Sequence, residues 1–448
     1  MLYSIAAASL AAGLPLAYLL RNSLRNSLCT TMAPPTPAQP IRVVVIGASC
    51  AGSNAVIGLV RNFTQAQVHV TVIDKRGHAY YYPASPRGVV SKDFIPKIWV
   101  PLTHLFEKAK YDASSSAPRH VVVQGTVSAV DAQTVTVAET GQVYAYDYLV
   151  VATGTTFASP YVQDVNDKAE GVQRAQRYTD ALARARSVVV VGGGPTGIET
   201  AGEIIHSYPD KKVTLIHGDD LLLSSALPEK FRRRLTQRAR DFGIELVLND
   251  RLDFQPEDVS QAGGPEEQDD LPYPIRTFTT RAGKTIEADW LISAIGGKVE
   301  TGYLDAWFNS ADKGTPYAGL RDDKTHTIKV TDTLQLDHPD LQHIFVPGDA
   351  NNFPCTKTAF RSNFQGQNVA KNLTALINQR LSGKSSGTPK LSPYVDSINA
   401  MLVTLGPEAG VGIMPLGIIV GDWVVRMFKG SNMTLSRAYD SLNAKYPA

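Results

Sequence analysis

Read as a pattern of apolar and polar positions, the chain carries two copies of one local design. Arg42-Val43-Val44-Val45-Ile46 is a short apolar run that gives way at once to Gly47-Ala48-Ser49-Cys50-Ala51-Gly52 and then to a helical pattern. A second strand, Val68 to Ile73, follows. The design returns as Ser187-Val188-Val189-Val190-Val191, then Gly192-Gly193-Gly194-Pro195-Thr196-Gly197, a helix, and the strand Lys212 to Ile216. Short, nearly unbroken apolar runs bounded by glycine predict strands buried on both faces of a parallel sheet. Three further runs predict strands that end in small-residue turns. They are Tyr148 to Gly154, Trp290 to Gly296, and Leu341 to Ala350. Strands alternating with helices in this way predict an α/β fold.

The glycines give the repeated design its chemistry. A strand–turn–helix of this spacing is the dinucleotide-binding fingerprint: the first glycine permits the tight turn, the second admits a pyrophosphate, and the third lets helix and strand pack closely. The helix N-terminus then offers free N–H groups and the positive end of its dipole to the phosphates. In the first copy Ser49 replaces the middle glycine, and Asp74 ends the following strand, where a carboxylate can accept hydrogen bonds from ribose hydroxyls. In the second copy Gly192, Gly194 and Gly197 keep the full pattern, and His217 stands where the acid would be. The second site therefore lacks the group that marks strict NAD preference.

Two such units imply two nucleotides, most economically FAD and a nicotinamide dinucleotide. Thr153-Gly154 lies where the chain would leave the first unit, and Gly348-Asp349 offers an aspartate to the ribityl chain of a flavin beside a close-approaching glycine. In the order fingerprint, Ala-Thr-Gly, fingerprint, Gly-Asp, the chain resembles the two-dinucleotide-domain flavoproteins. Within them it is most similar to the apoptosis-inducing-factor-like branch that includes ferroptosis suppressor protein. Particular matches are Asp74 with Arg87, Val213 to His217, Thr356-Lys357, and Gly410-Val411-Gly412. The resemblance implies that Arg87 and Val127 line the FAD site, that Lys357 lies by the flavin ring, and that Glu199 approaches the nicotinamide. The alternatives are that Glu199 only caps or pairs and that Lys357 is simply solvated. It also implies two Rossmann-like FAD/NAD(P)-binding domains, the second inserted in the first, plus a small C-terminal domain. The expected boundaries are 41–155 and 325–385 for the FAD domain, 156–324 for the NAD(P)H domain and 390–448 for the C-terminal domain. Residues 1–40 form an N-terminal segment with a Pro-rich spacer.

Composition fits a globular oxidoreductase: 43% hydrophobic and 19% charged over 448 residues argue against disorder. A net charge of +2 leaves no basic footprint for nucleic acid. The arginines at 232, 233, 234, 238 and 240 fall on several faces of one predicted helix, so a solvated surface is expected. The minor alternative is a contact with the 2′-phosphate of NADPH. The three cysteines, Cys29, Cys50 and Cys355, include no C-x-x-C pair, so a redox dithiol is not expected. No metal-ligand spacing occurs, so electrons are expected to leave the flavin directly for an external acceptor.

Leu2 to Leu20 is an uncharged apolar run followed by Arg21 and Arg25, near the length that crosses a bilayer core. It reads as a membrane anchor that leaves the body on the cytoplasmic side, as a mitochondrial targeting segment, or as a signal. A start at Met32 would remove it. The apolar stretch 414–425 is expected to pack as core against the FAD domain, the alternative being a membrane-facing patch that admits a lipid-soluble quinone. The expected activity is transfer from NADH or NADPH through FAD to a quinone. The alternatives are a reductase of a small electron-carrier protein and a redox-sensing flavoprotein of the apoptosis-inducing-factor type. The oligomeric state stays open, with a homodimer as one option.

Overall fold

The computed structural model describes residues 39–157, 160–161, 165–252, 275–308, 317–383, 387, 389–396 and 400–447. The apolar run at 2–20 lies outside them. No helix among the described residues is long and apolar enough to cross a membrane.

The first apolar run forms β1 (Ile41–Ile46), followed by α1 (Cys50–Asn62) and β2 (Val68–Asp74). β3 (Val121–Gln124) extends the sheet, and a three-stranded meander of β4 (Val127–Val130), β5 (Thr134–Val137) and β6 (Val143–Ala145) leads to β7 (Tyr148–Val151). The two-residue strand β8 (Thr155–Thr156) opens the crossing into the inserted unit. That unit runs through α2 (Lys168–Arg184), β9 (Ser187–Val191), α3 (Pro195–Ser207), β10 (Lys212–Ile216), α4 (Glu229–Asp241), β11 (Glu245–Val247) and β12 (Trp290–Ser293). The chain returns at β13 (Lys298–Val299) and completes the outer unit with β14 (Ile344–Phe345) and the long α5 (Ala359–Leu381). The C-terminal segment contributes β15 (Met401–Leu405), β16 (Ala409–Ile413), β17 (Ile419–Val420) and α6 (Leu435–Ser441).

The outer sheet has the order β14-β7-β1-β2-β3 and the inserted sheet the order β11-β10-β9-β12. Their cores superimpose in logic: β1 runs parallel between β2 and β7, and β9 runs parallel between β10 and β12. Val43, Val45, Val189 and Val190 are fully buried, as strands covered on both faces require.

β8 and β13 pair antiparallel, Thr155 opposite Val299 and Thr156 opposite Lys298, so the two crossings between units run side by side. The return therefore falls near residue 298 rather than near 324. Leu304, Phe308 and Leu320 pack with Val44, Ile46, Val127 and Ile344 in the outer core. The glycine pair Gly296-Gly297 stands directly before that return, at the end of the small-residue turn that follows β12.

The C-terminal segment divides its packing. Val403, Leu405, Val411 and Ile413 join the inserted unit's core with Val190, Ile198 and Phe231. Met433, Leu435, Tyr439 and Leu442 join the outer core with Val56 and Leu59. Between these two anchors the stretch 414–425 departs from expectation. Only Val425 is buried; Leu416 is 98% exposed, and Ile418, Trp423, Met427 and Phe428 are also exposed. Leu416 sits at φ +65° on the tip of the turn before β17, where neither unit can reach it. We call this surface the apolar ledge.

Candidate functional site

The two fingerprints fold alike, atom for atom in their essentials. Gly47 (φ +88°) donates its N–H to Ile73 O at 2.8 Å, and Gly192 (φ +115°) donates to Ile216 O at 2.9 Å. A Cβ on Gly52 would lie 1.9 Å from Gly47 O, and one on Gly197 would lie 1.9 Å from Gly192 O. No side chain fits either place, so the close helix–strand approach demands glycine there. Neither α1 nor α3 has an acidic residue in its first turn, and neither N-cap side chain bonds the helix. The N–H groups at the start of α1, and those that follow Pro195 in α3, are thus left for an anion.

At the end of β2, Asp74 Oδ2 accepts the Ala48 N–H and Oδ1 the Arg76 N–H, each at 2.8 Å. Burial raises its pKa, and these two backbone donors oppose the shift. Carboxylate lone pairs remain beside the turn for ribose hydroxyls. Ser49 donates to Tyr80 O, and Cys50 opens α1, its thiol pushed up by burial to about 11. Ala48 and Ala51 are buried small residues that keep the turn narrow. Cys50 is therefore an inert part of the turn at neutral pH.

The Gly348-Asp349 turn is held against this turn from the other side. Gly348 N donates to Gln365 Oε1 at 2.7 Å, and Asn351 Nδ2 donates to the same oxygen at 2.8 Å. Asp349 accepts Thr155 Oγ1 at 3.3 Å and Ser362 Oγ at 3.4 Å. Thr153 Oγ1 donates to Glu300 O at 2.7 Å, and Gly154 O accepts Glu300 N–H, so the Ala-Thr-Gly turn ties the two crossings together. Lys357 Nζ donates to Asn351 O at 2.7 Å and to Asn351 Oδ1 at 2.9 Å. Its pKa is lowered by burial, against the attraction of Cys355 and Asp349. The helix after Gly-Asp begins only at Ala359, where Thr358 caps the Arg361 N–H. It is brought back to Asp349 through Ser362 rather than starting beside it.

The other expected residues, and some that were not expected, make the following contacts. Arg87 donates to both Glu203 oxygens, at 2.7 Å from Nη2, and to Ser431 O. It joins the outer unit, α3 and the C-terminal segment at once. Val127 is buried in the outer core, just past Gly125, whose N–H donates to Asp74 O. Glu199 is buried on α3 and accepts Lys429 Nζ at 2.5 Å and Thr404 N–H at 3.1 Å. Lys429 carried no signal in the sequence, since its partner stands 230 residues away. His217 Nδ1 accepts the Gly193 N–H at 3.2 Å. Arg232, expected on a solvated face, is buried and donates to Leu221 O and Leu222 O. It satisfies carbonyls of the loop after β10 that would otherwise be unpaired.

Two dinucleotide folds, each with an open helix N-terminus and a strand-end side chain, define a nucleotide-dependent flavoprotein oxidoreductase. The chain belongs to the pyridine nucleotide-disulphide oxidoreductase family, whose model matches residues 41–367. Its cofactors are accordingly FAD and NAD(P)H. Apoptosis-inducing factor homolog A of Dictyostelium discoideum is 27% identical over 415 residues, covering 91% of this chain and 93% of that protein. Ferroptosis suppressor protein 1 of Xenopus laevis is 23% identical over 411 residues, covering 91% and 98%. Among solved structures, the sulfide:quinone oxidoreductase of Aquifex aeolicus aligns with TM-score 0.63 at 17% identity, over 91% of this chain and 93% of that one. NDH2 of Plasmodium falciparum with NADH aligns at 0.61 and 13% identity, over 91% and 99%. At these identities the solved structures speak for the fold alone. The expected apoptosis-inducing-factor-like character is borne out by the curated relatives.

The residues present fit FAD on the structure's own terms. The glycine-lined cradle at Gly47 and Gly52 has no room for a Cβ, and the Asp74 and Asp349 carboxylates stand at its two ends.

Proposed function

We propose that this chain is an FAD-dependent NAD(P)H:quinone oxidoreductase that works at a membrane surface. The observation that carries the acceptor is the apolar ledge. Leu416, Ile418, Trp423, Met427 and Phe428 form an exposed apolar surface that a soluble monomer rarely shows without a use. Phe428 directly precedes Lys429, whose ammonium is paired with Glu199 on the nicotinamide-side helix. The ledge is thus joined by one residue to the nucleotide site.

Bound FAD would accept hydride equivalents from the nicotinamide and return electrons to an acceptor. The chain's own residues supply binding and electrostatics. Gly192, Gly194 and Gly197 make room for the coenzyme pyrophosphate, and α3 directs N–H groups at it. Asp74 holds a ribose of the flavin nucleotide, and Asp349 its ribityl hydroxyls. Lys357 places positive charge beside Asp349, where negative charge on a reduced ring would develop. Among the described residues, Cys50 and Cys355 are separate free thiols with raised pKa values and form no pair.

The test is an anaerobic flavin spectrum of the purified protein, followed through additions of NADH or NADPH and then a short-chain ubiquinone analogue. Bleaching by nicotinamide and fast recovery with quinone are expected. Bleaching with slow recovery would overturn the quinone and favour a carrier protein or a sensing role. Relatives named for apoptosis-inducing factor and ferroptosis suppression support the same reading.

A further inference from the structure

The inserted unit also differs from the outer one in the charge it offers at the adenosine end of its nucleotide, and this bears on which coenzyme it takes. We propose that the site selects NADPH over NADH, with Arg251 as the residue that receives the 2′-phosphate and His217 as its supporting donor. The proposal rests on the reading of the inserted unit as the NAD(P)H site.

The outer unit supplies the internal standard. There the strand-end carboxylate of Asp74 accepts the turn's Ala48 N–H and keeps a negative charge toward the ribose. A carboxylate in that place accepts from a 2′-hydroxyl and repels a 2′-phosphate. In the inserted unit His217 takes the same role toward the turn, accepting the Gly193 N–H on Nδ1. With Nδ1 the acceptor, the neutral ring carries its proton on Nε2. That N–H has no hydrogen-bond partner among the described residues. The strand end thus offers a donor where the outer unit offers an acceptor.

The next residue turns this into a cationic site. Gly218 has no side chain, and the Arg251 guanidinium lies directly on it: a Cβ there would be 2.6 Å from Nε and 3.2 Å from Cζ. Arg251 is exposed, and no carboxylate of a described residue forms an ion pair with it. Its neighbour Asp250 directs Oδ1 to the backbone N–H groups of Arg251 and Ala282 instead. Arg232 is held by Leu221 O and Leu222 O and stands 3.9 Å from Asp219 and 3.5 Å from Asp220. Both carboxylates are thus drawn to Arg232, and neither lies within ion-pair distance of Arg251. Asp219, 3.9 Å from His217 Nε2, is the competing group. If it were the ribose ligand, NADH would be preferred. Guanidinium is the side chain best shaped to meet a phosphate with two N–H donors.

The measurement is calorimetric binding of NADP⁺ and NAD⁺ to the flavin-loaded full chain, with 2′,5′-ADP and 5′-ADP as probes of the adenosine half. NADP⁺ and 2′,5′-ADP are expected to bind about tenfold or more tightly than their counterparts, as one charge-assisted contact provides. Arg251→Met should erase most of that advantage while NAD⁺ binding changes little, and His217→Asp should turn the preference toward NAD⁺. The visible flavin spectrum reports that each variant is folded. Equal binding of the two coenzymes, tighter NAD⁺, or an equal loss of both in Arg251→Met would overturn the proposal. If neither coenzyme binds while flavin stays bound, the NAD(P)H reading of the unit itself falls.

Discussion

Lys357 is the residue whose placement most exceeds what a solvated lysine needs. Its ammonium is pinned by both the carbonyl and the amide oxygen of Asn351, which is itself fully buried and fixed by Val346 O and Gln365. Burial lowers its pKa, and the neighbouring Asp349 works to keep it charged. A cation so held is an electrostatic fixture prepared before any charge arrives. Lys357→Met should slow the bleaching of bound flavin by nicotinamide about tenfold or more, with flavin content unchanged; stopped-flow absorbance measures the first and the flavin-to-protein ratio the second. Asp349 tests the other half of the pair. Asp349→Ala should empty the site, so purified protein should carry little flavin, and full occupancy would remove Asp349 from the cofactor site.

At the scale of elements, the two sheets owe their likeness to a few anchors at strand ends. Asp289 is buried just before β12 and accepts the N–H groups of Arg186 and Ser187 at the start of β9, at 2.9 and 2.8 Å. Burial alone would raise its pKa, but the Arg186 and Ser187 hydrogen bonds prevail and hold it below the usual carboxylate value. Its folded pKa is thus depressed, so its stabilisation is present above the unfolded carboxylate pKa and is lost as pH falls through the lower folded value. Asp289→Ala removes the acceptor of two part-buried backbone donors and should cost ~1–2 kcal/mol at pH 7. Thermal melts of the two proteins should differ at pH 7 and converge toward pH 3.

The same elements show where sequence stops speaking. β1, β2, β9, β10 and both turns were legible because each is a local signal: an apolar run, then glycines that no other residue can replace. The Arg87–Glu203 clamp and the Lys429–Glu199 pair were not, because each joins residues more than a hundred positions apart. Arg232 was misread for a related reason: helical spacing places an arginine on a face but does not say which loop carbonyls await it. The boundary expected near 324 was set too late because β8 and β13 are only two residues long, too short to show a period, although the small-residue turn that ends the Trp290–Gly296 run lies just before β13.

At the scale of the whole molecule, the apolar ledge is the feature that the packing leaves unexplained. Both ends of the C-terminal segment are committed to cores, the β15–β16 hairpin to the inserted unit and α6 to the outer unit. Most of what lies between is exposed among the described residues, with Leu416 and Trp423 the most open of its large apolar side chains. Transferring each of these side chains from water to an apolar phase is worth roughly 1.5–3 kcal/mol, about tenfold or more in partition per residue. The pair of substitutions Leu416→Ser and Trp423→Ser should therefore weaken binding to phosphatidylcholine vesicles by about a hundredfold where the ledge alone holds the chain, and by less if the apolar run at 2–20 also inserts. Neither side chain belongs to a core, so thermal stability should hardly move. Turnover with a long-tailed quinone in vesicles should fall, while turnover with a short-chain quinone in solution should stay near that of the unaltered chain. The contrast between the two quinones is the decisive readout, because damage to the nucleotide sites would lower both. An equal fall would place the ledge in packing rather than at a membrane, and the acceptor would then have to be sought among partners in solution.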